Sequence, residues 1–322
     1  MSAVERKGVT TNPGWITRFW AVVEYELLWN IRKKKFIGIV VVAFALATLS
    51  LALPVIFSNM SGQQLGRNPD YVVSTGAGIG GLGFFLFAVV TVMNSISGEF
   101  ESGTIIPLLT KPVSRTIVFL GKVFAAFLTL LSAYAVLFVY MTIGGTIVYG
   151  PQNNLHLIPL SLLGSILSTF VWVAIVLAIG SLTKNSMIAA LGTFGIFIAL
   201  SISAPIVSMF SEQAWILTYV PGPGASGYIE GVGSQTPFTP SISVSTGTDS
   251  IAANLINYVL HPSSNVTFFK IGGFSPGEPS IVELYVEPLS LVLLRSITVA
   301  STYILAFSFI SWYAFKRTQV LE

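Results

Sequence analysis

Six runs of twenty-odd residues, almost free of charge, dictate what this chain can become. They are Phe36–Phe57, Tyr71–Ser97, Val123–Tyr149, Leu157–Thr183, Ser186–Phe210 and Leu289–Phe315. A helix crossing the ~30 Å hydrocarbon layer needs about 20 apolar residues. Each run is long enough, and only Arg295 places a charge inside one. Backbone groups in lipid must bond within their own segment, so such runs become helices. Composition leads to the same conclusion. The chain is 53% hydrophobic and 9% charged, whereas soluble domains carry about 25% charged residues. The expectation is an all-α polytopic membrane protein with six transmembrane helices.

The connections set its orientation. Of the 16 Lys and Arg residues, all but Arg67, Lys270 and Arg295 fall before the first run, around 98–122, at Lys184 or after the sixth run. The positive-inside rule puts both termini and the 98–122 connection in the cytoplasm. The basic balance therefore reports topology, and no nucleic-acid partner is expected. The first 14 residues are polar and lack the apolar core of a cleavable signal.

Trp15–Ile31 carries Ile16, Trp20, Val23, Leu27 and Ile31 at helical steps, followed by Arg32-Lys33-Lys34-Lys35. Tryptophans and a basic cluster suit the headgroup layer, so an N-terminal amphipathic interfacial helix is expected. Residues 1–35 form that cytoplasmic N-terminus, and 36–210 hold spans one to five. Residues 211–288 form an extracellular insertion, and 289–322 hold the sixth span and a cytoplasmic tail. In the insertion, Asp249–Leu260 reads as a short helix. Asn265–Ile271 and Ser280–Val286 alternate like strands around a Gly/Pro turn, which makes a small α+β cap.

Several chemistries find no support. The sequence has no cysteine and only two histidines, His156 and His261, far apart, so no metal site is expected. Gly78-Ile-Gly80-Gly81-Leu-Gly83 matches the dinucleotide fingerprint only in form, because it lies within an apolar run. Close helix packing through Gly76 and Gly80 is the expected role. No phosphate-binding loop occurs. No Asp or Glu falls inside a run, which argues against proton relays. Arg295 reads as an anchor that snorkels toward the headgroups, with Glu283 or Glu287 as partner. Polar residues for a path are Thr91, Asn94 and Ser95 in the second run and Thr193, Ser201 and Ser203 in the fifth. Helix–helix hydrogen bonding is the alternative role for all six.

The stretch GEFESGTIIPLLTKPVSRTIVFLGK (98–122) lies between the second and third runs. Acids near its start and Lys111 near its end suit a short helix dipole, and Pro112 breaks it. Such a helix would expose Ile105, Ile106, Leu108 and Leu109, which need a cover. The stretch resembles the permease subunits of ABC-2-type ABC transporters. It matches their E-x-E-x-G-T, leucine-like pair, K/R-P-x-S-R and later lysine in Glu99, Glu101, Gly103, Thr104, Leu108, Leu109, Lys111, Pro112, Ser114, Arg115 and Lys122. Pro107 departs from the pattern. The resemblance implies an exporter permease that dimerises with itself or a related chain and seats on two separate ATP-binding cassette subunits, which carry ATP and Mg. It also implies a plasma-membrane location. The implied coupling residues are Glu99, Glu101, Gly103, Thr104, Ile105, Leu108, Leu109, Lys111, Pro112 and Arg115, with Glu24 and Glu26 of the first helix. A membrane-anchored enzyme with a catalytic cap and a passive channel are the alternatives.

Overall fold

The computed structural model describes residues 14–62, 65–76, 78–103, 114–229, 243–274 and 279–317. Six helices are long and apolar enough to cross a membrane. They are Lys34–Ser61, Gly80–Glu101, Arg115–Tyr149, Leu155–Thr183, Ser186–Phe210 and Leu289–Arg317, here called spans one to six. Spans one, three, four, five and six contain the expected runs. Span two differs. Tyr71–Thr75 is a separate short helix, and the chain turns at Gly76 and Gly78, whose φ are +65° and +69°. The long helix restarts only at Gly80, at φ +59°. Glycine alone takes such angles without steric cost. These glycines therefore serve a break in the helix, and the expected continuous G-x-x-x-G packing face does not form.

Span four is the centre. Its apolar window is 72% buried, against 22% for spans one and five, so those two present most of their surface outward. Trp172 in span four is fully enclosed and meets Phe85 of span two and Phe197 of span five.

The N-terminal helix, Trp15–Arg32, turns an unexpected face inward. It buries Val23, Glu26 and Asn30, whereas Ile16, Trp20 and Ile31 stay exposed. The apolar stripe is thus divided: Val23 is buried, Leu27 is half-buried and Phe19 and Trp20 meet Phe124 of span three, while Ile16 and Ile31 stay exposed.

The insertion between spans five and six holds a four-stranded antiparallel sheet, β1 (Ser226–Ile229), β2 (Ser243–Ser245), β3 (Asn265–Phe274) and β4 (Pro279–Pro288). Its order is β2-β1-β3-β4. The expected hairpin is β3–β4, with Phe268 stacked on Tyr285 at 4.6 Å. β4 continues directly into span six at Leu289. There Glu287, one of the two expected partners, pairs with Arg295, at 3.2 Å through Nη1. Glu283 instead accepts from the Tyr228 hydroxyl.

The insertion does not sit wholly above the bundle. Its helix Ile251–Leu260 lies against span four, where a Cβ on Gly164 would stand 2.6 Å from the Ala252 Cα. Ser168 Oγ donates to Thr248 O at 2.6 Å, and Trp172 Nε1 donates to Asp249 Oδ1 at 3.2 Å. Counted from Ile158 at 1.5 Å per residue, Trp172 lies ~21 Å along span four, near mid-span. An acid therefore does reach the interior of the bundle. It comes from the insertion, outside every apolar run, which is why the expectation of no embedded carboxylate fails.

Candidate coupling site

Span two ends in the one-turn helix Ser97–Glu101. Neighbouring residues on a helix point about 100° apart and cannot face one partner. The sequence Glu99-Phe100-Glu101 accordingly reaches three places. Glu99 Oε1 accepts from Lys122 Nζ of span three at 2.7 Å, and the same ammonium pairs with Glu26 of the N-terminal helix. The Phe100 ring stands edge-on to Phe315 of span six, 6.4 Å between centres, with the Lys184 ammonium 5.9 Å from its centre. The Glu101 carboxylate accepts the Ser186 backbone N–H at 2.9 Å and the Ser186 hydroxyl. Asn185 Oδ1 accepts the Ile188 N–H at 2.9 Å beside it. Span five thus begins on an Asn cap with a carboxylate at its positive end.

Lys122 is 3% exposed and Glu26 5%. A lone buried charge costs several kcal/mol, and geometry must repay it. Here one ammonium serves two carboxylates. Lys33 lies close by, its ammonium donating to Asn30 Oδ1 at 2.8 Å. Burial lowers its pKa to about 8, against the pull of Glu26. Around this cluster opens a cleft of about 1290 Å³, lined among others by Arg18, Tyr25, Trp29, Lys34, Asn94 and Glu101.

Residues 20–320 match the family described as ABC-2 family transporter protein. The chain belongs to that family. Comparison with curated proteins finds none that matches. Membership makes the chain a multi-pass membrane protein and the permease component of an ABC transporter, a class that works with ATP-binding subunits.

In this permease the coupling residues implied by resemblance divide into three groups. Glu26, Glu99 and Glu101 meet the contacts above. Glu24 is exposed on the N-terminal helix, and Gly103 turns the chain at φ +69°. Arg115 Nη1 donates to Lys316 O at 2.9 Å and so ties the start of span three to the end of span six. Thr104, Ile105, Leu108, Leu109, Lys111 and Pro112, and with them the expected apolar helix, lie outside the described residues.

The path residues are scattered. Asn94 and Ser95 line the cleft. Thr91 is buried with no partner for its hydroxyl. Thr193 donates to Ala189 O at 2.8 Å within its own helix, and Ser201 and Ser203 are half-buried further along span five. Between spans two and five the seam is aromatic, with Phe85 and Phe197 stacked at 4.6 Å. Sequence reasoning quoted Lys122 as part of the motif but missed it as the centre of the cluster. Lys33 was legible only as part of the basic cluster, and Asn30, Phe100 and Ser186 carried no signal of their own. A lysine seven residues into a helix opposite a Glu-bearing amphipathic helix was the signal available for Lys122.

Proposed function

We propose that this chain is the permease of an ATP-driven exporter in the plasma membrane, with both termini in the cytoplasm and the insertion outside. It forms the path as a dimer, with itself or a related chain. Two ATP-binding cassette subunits, carrying ATP and Mg, seat on 98–115 and on the Trp15–Arg32 helix. The observation that carries this reading is the triple attachment of Glu99-Phe100-Glu101. A force applied at the end of span two reaches the N-terminal helix, span three, span six and the turn before span five through three consecutive side chains. An element that must convey closure of a partner to several helices needs such links. Because the Phe85–Phe197 seam joins spans two and five within one chain, the path runs between the two chains of the dimer, along the exposed side of span five. The glutamates act by position, with no role in hydrolysis.

The test uses the permease reconstituted with its ATPase in liposomes. Glu101→Ala is expected to retain the ATPase subunits and their hydrolysis while losing transport. ATP-driven transport at the wild-type rate in Glu101→Ala and in Glu99→Gln would overturn the coupling role. Failure of any ATP-binding subunit to co-purify with the wild-type chain would overturn the assembly.

A further inference from the structure

The break in span two and the inward reach of the insertion meet in a second, smaller cavity of about 190 Å³. Its wall includes Ser74 and Thr75 at the end of the short helix, Gly76, Gly78 and Gly80 of the break, Ser161 and Ser165 of span four, and Asp249. It holds room for more than one water-sized body, since a water needs about 10–15 Å³ of such space. Ser74, Thr75 and Gly80 are exposed, which leaves the cavity an entrance.

Its chemistry is one-sided. Asp249 Oδ1 accepts from the Trp172 indole, and Oδ2 lies where a Cβ on Gly81 would come within 2.5 Å. The carboxylate therefore sits beside Gly81, in the first turn of the long helix of span two. Among the described residues no Lys, Arg or His forms an ion pair with it. Two of the hydroxyl hydrogens on the wall are committed elsewhere. Ser165 Oγ donates to Ser161 O at 2.9 Å and Ser74 Oγ to Tyr71 O at 3.1 Å, which leaves their lone pairs for the cavity. Ser161 Oγ, in a residue 1% exposed, has no hydrogen-bond partner at all. Buried polar atoms rarely go unsatisfied unless a site explains them.

A wall of one carboxylate and several oxygen lone pairs repels anions and attracts cations. A single unpaired negative charge near mid-span balances one positive charge, and a divalent ion would leave an excess in a low-dielectric site. Hard oxygen donors select metal cations of the same hardness. We propose that this cavity binds one alkali-metal cation, held by the Asp249 carboxylate with the Ser161 and Ser165 hydroxyls and entering from the side of the insertion. The bound ion braces the broken span two against the insertion. The site is independent of coupling to an ATPase.

The experiment is thermal melting of the full-length chain in nanodiscs at constant ionic strength, with NaCl, KCl, LiCl or CaCl2 replacing choline chloride, each at two pH values. A ligand that binds only the folded state raises Tm with the logarithm of its concentration. A saturable rise with an alkali cation over choline is expected, lost in Asp249→Asn. Ser161→Ala is expected to move the half-saturating concentration upward roughly fivefold, the effect of about 1 kcal/mol for one lost polar contact. Equal Tm in choline and in all three alkali chlorides overturns the proposal. So does a Tm that follows pH alone, which makes the ligand a proton, or a larger rise with CaCl2. If Asp249→Asn does not fold, Ser161→Ala decides, and an unchanged midpoint there also overturns it.

Discussion

The permease places carboxylates in protein interior at two sites, and it treats them differently. At the basic end, Glu26 and Glu99 share Lys122, so the cluster carries its own counter-ion. At the insertion side, Asp249 meets an indole, a helix start and hydroxyls. The first arrangement is closed and serves attachment. Three helical elements are fixed to one ammonium, and none can move without carrying the others or breaking a buried charge pair. The second leaves its charge to be balanced by something that comes and goes. The difference teaches where rigidity and responsiveness lie. The chain is locked where force must pass between elements, and it is responsive where a non-helical turn of span two touches the insertion.

The largest effect that can break this comparison is at Lys122. Lys122→Met leaves the buried Glu26 and the half-buried Glu99 without their counter-ion, and removal of one partner of a buried cluster costs about 3–5 kcal/mol. Melting in nanodiscs should show a large loss, and adding Glu26→Gln with Glu99→Gln should restore much of it. If the triple variant is no better than Lys122→Met, the cluster is not a charge lock. Asp249→Ala comes next, since it removes the indole's acceptor and the cavity's only charge. A buried donor left unmade costs about 1–3 kcal/mol. Trp172→Phe removes the same bond from the other side, so the double variant should melt close to Asp249→Ala. Full additivity would mean that the bond at 3.2 Å contributes little. Glu101→Ala tests the exposed arm of the coupling site. It should leave melting nearly unchanged while transport falls, which separates the conveying of force from the holding of the fold.

The smallest expected effect is on pH. Burial lowers the Lys33 pKa to about 8, whereas an unfolded lysine titrates near 10.4. Between those values the unfolded chain binds the extra proton, so this group's contribution to stability rises with pH from about 8 upward and is flat below. Melting curves at pH 7.5, 8.5 and 9.5 for wild type and Lys33→Gln should diverge by a small amount in that sense. Parallel curves would show that Lys33 is solvated and stands apart from the Lys122 cluster.

What the sequence made legible follows from contrast. Five spans and the β3–β4 hairpin could be read because long apolar runs and alternating strands stand out against their flanks. The break in span two could not be. In Tyr71–Ser97 nearly every position is apolar or small, so no period marks where a helix stops, and glycines suit both close packing and a turn. Asp249 was hidden for another reason. It stands among Ser, Thr and Gly in a segment that reads as solvent-facing, and only tertiary packing on Ser168 and Trp172 carries it inward. The Trp15–Arg32 helix shows the opposite error. Its apolar stripe was visible, but the packed face also takes in Glu26, which pairs with Lys122, and Asn30, which accepts from Lys33, beside the apolar Val23. In the coupling stretch the acids were legible from the motif, while the division of Glu99, Phe100 and Glu101 among three partners depends on where three other elements end.

β4 passes into span six without a linker, and Glu287 and Arg295 clamp the joint. Span six is 29 residues long, ~44 Å at 1.5 Å per residue, and its far end is tied to span three through Arg115. A tilt of about 10° at one end would sweep the other through roughly 8 Å at that length. The hairpin is therefore a pointer on a dial. If the proposed topology and coupling hold, an antibody fragment raised against it would read, from one face of the membrane, the state of machinery working on the opposite face.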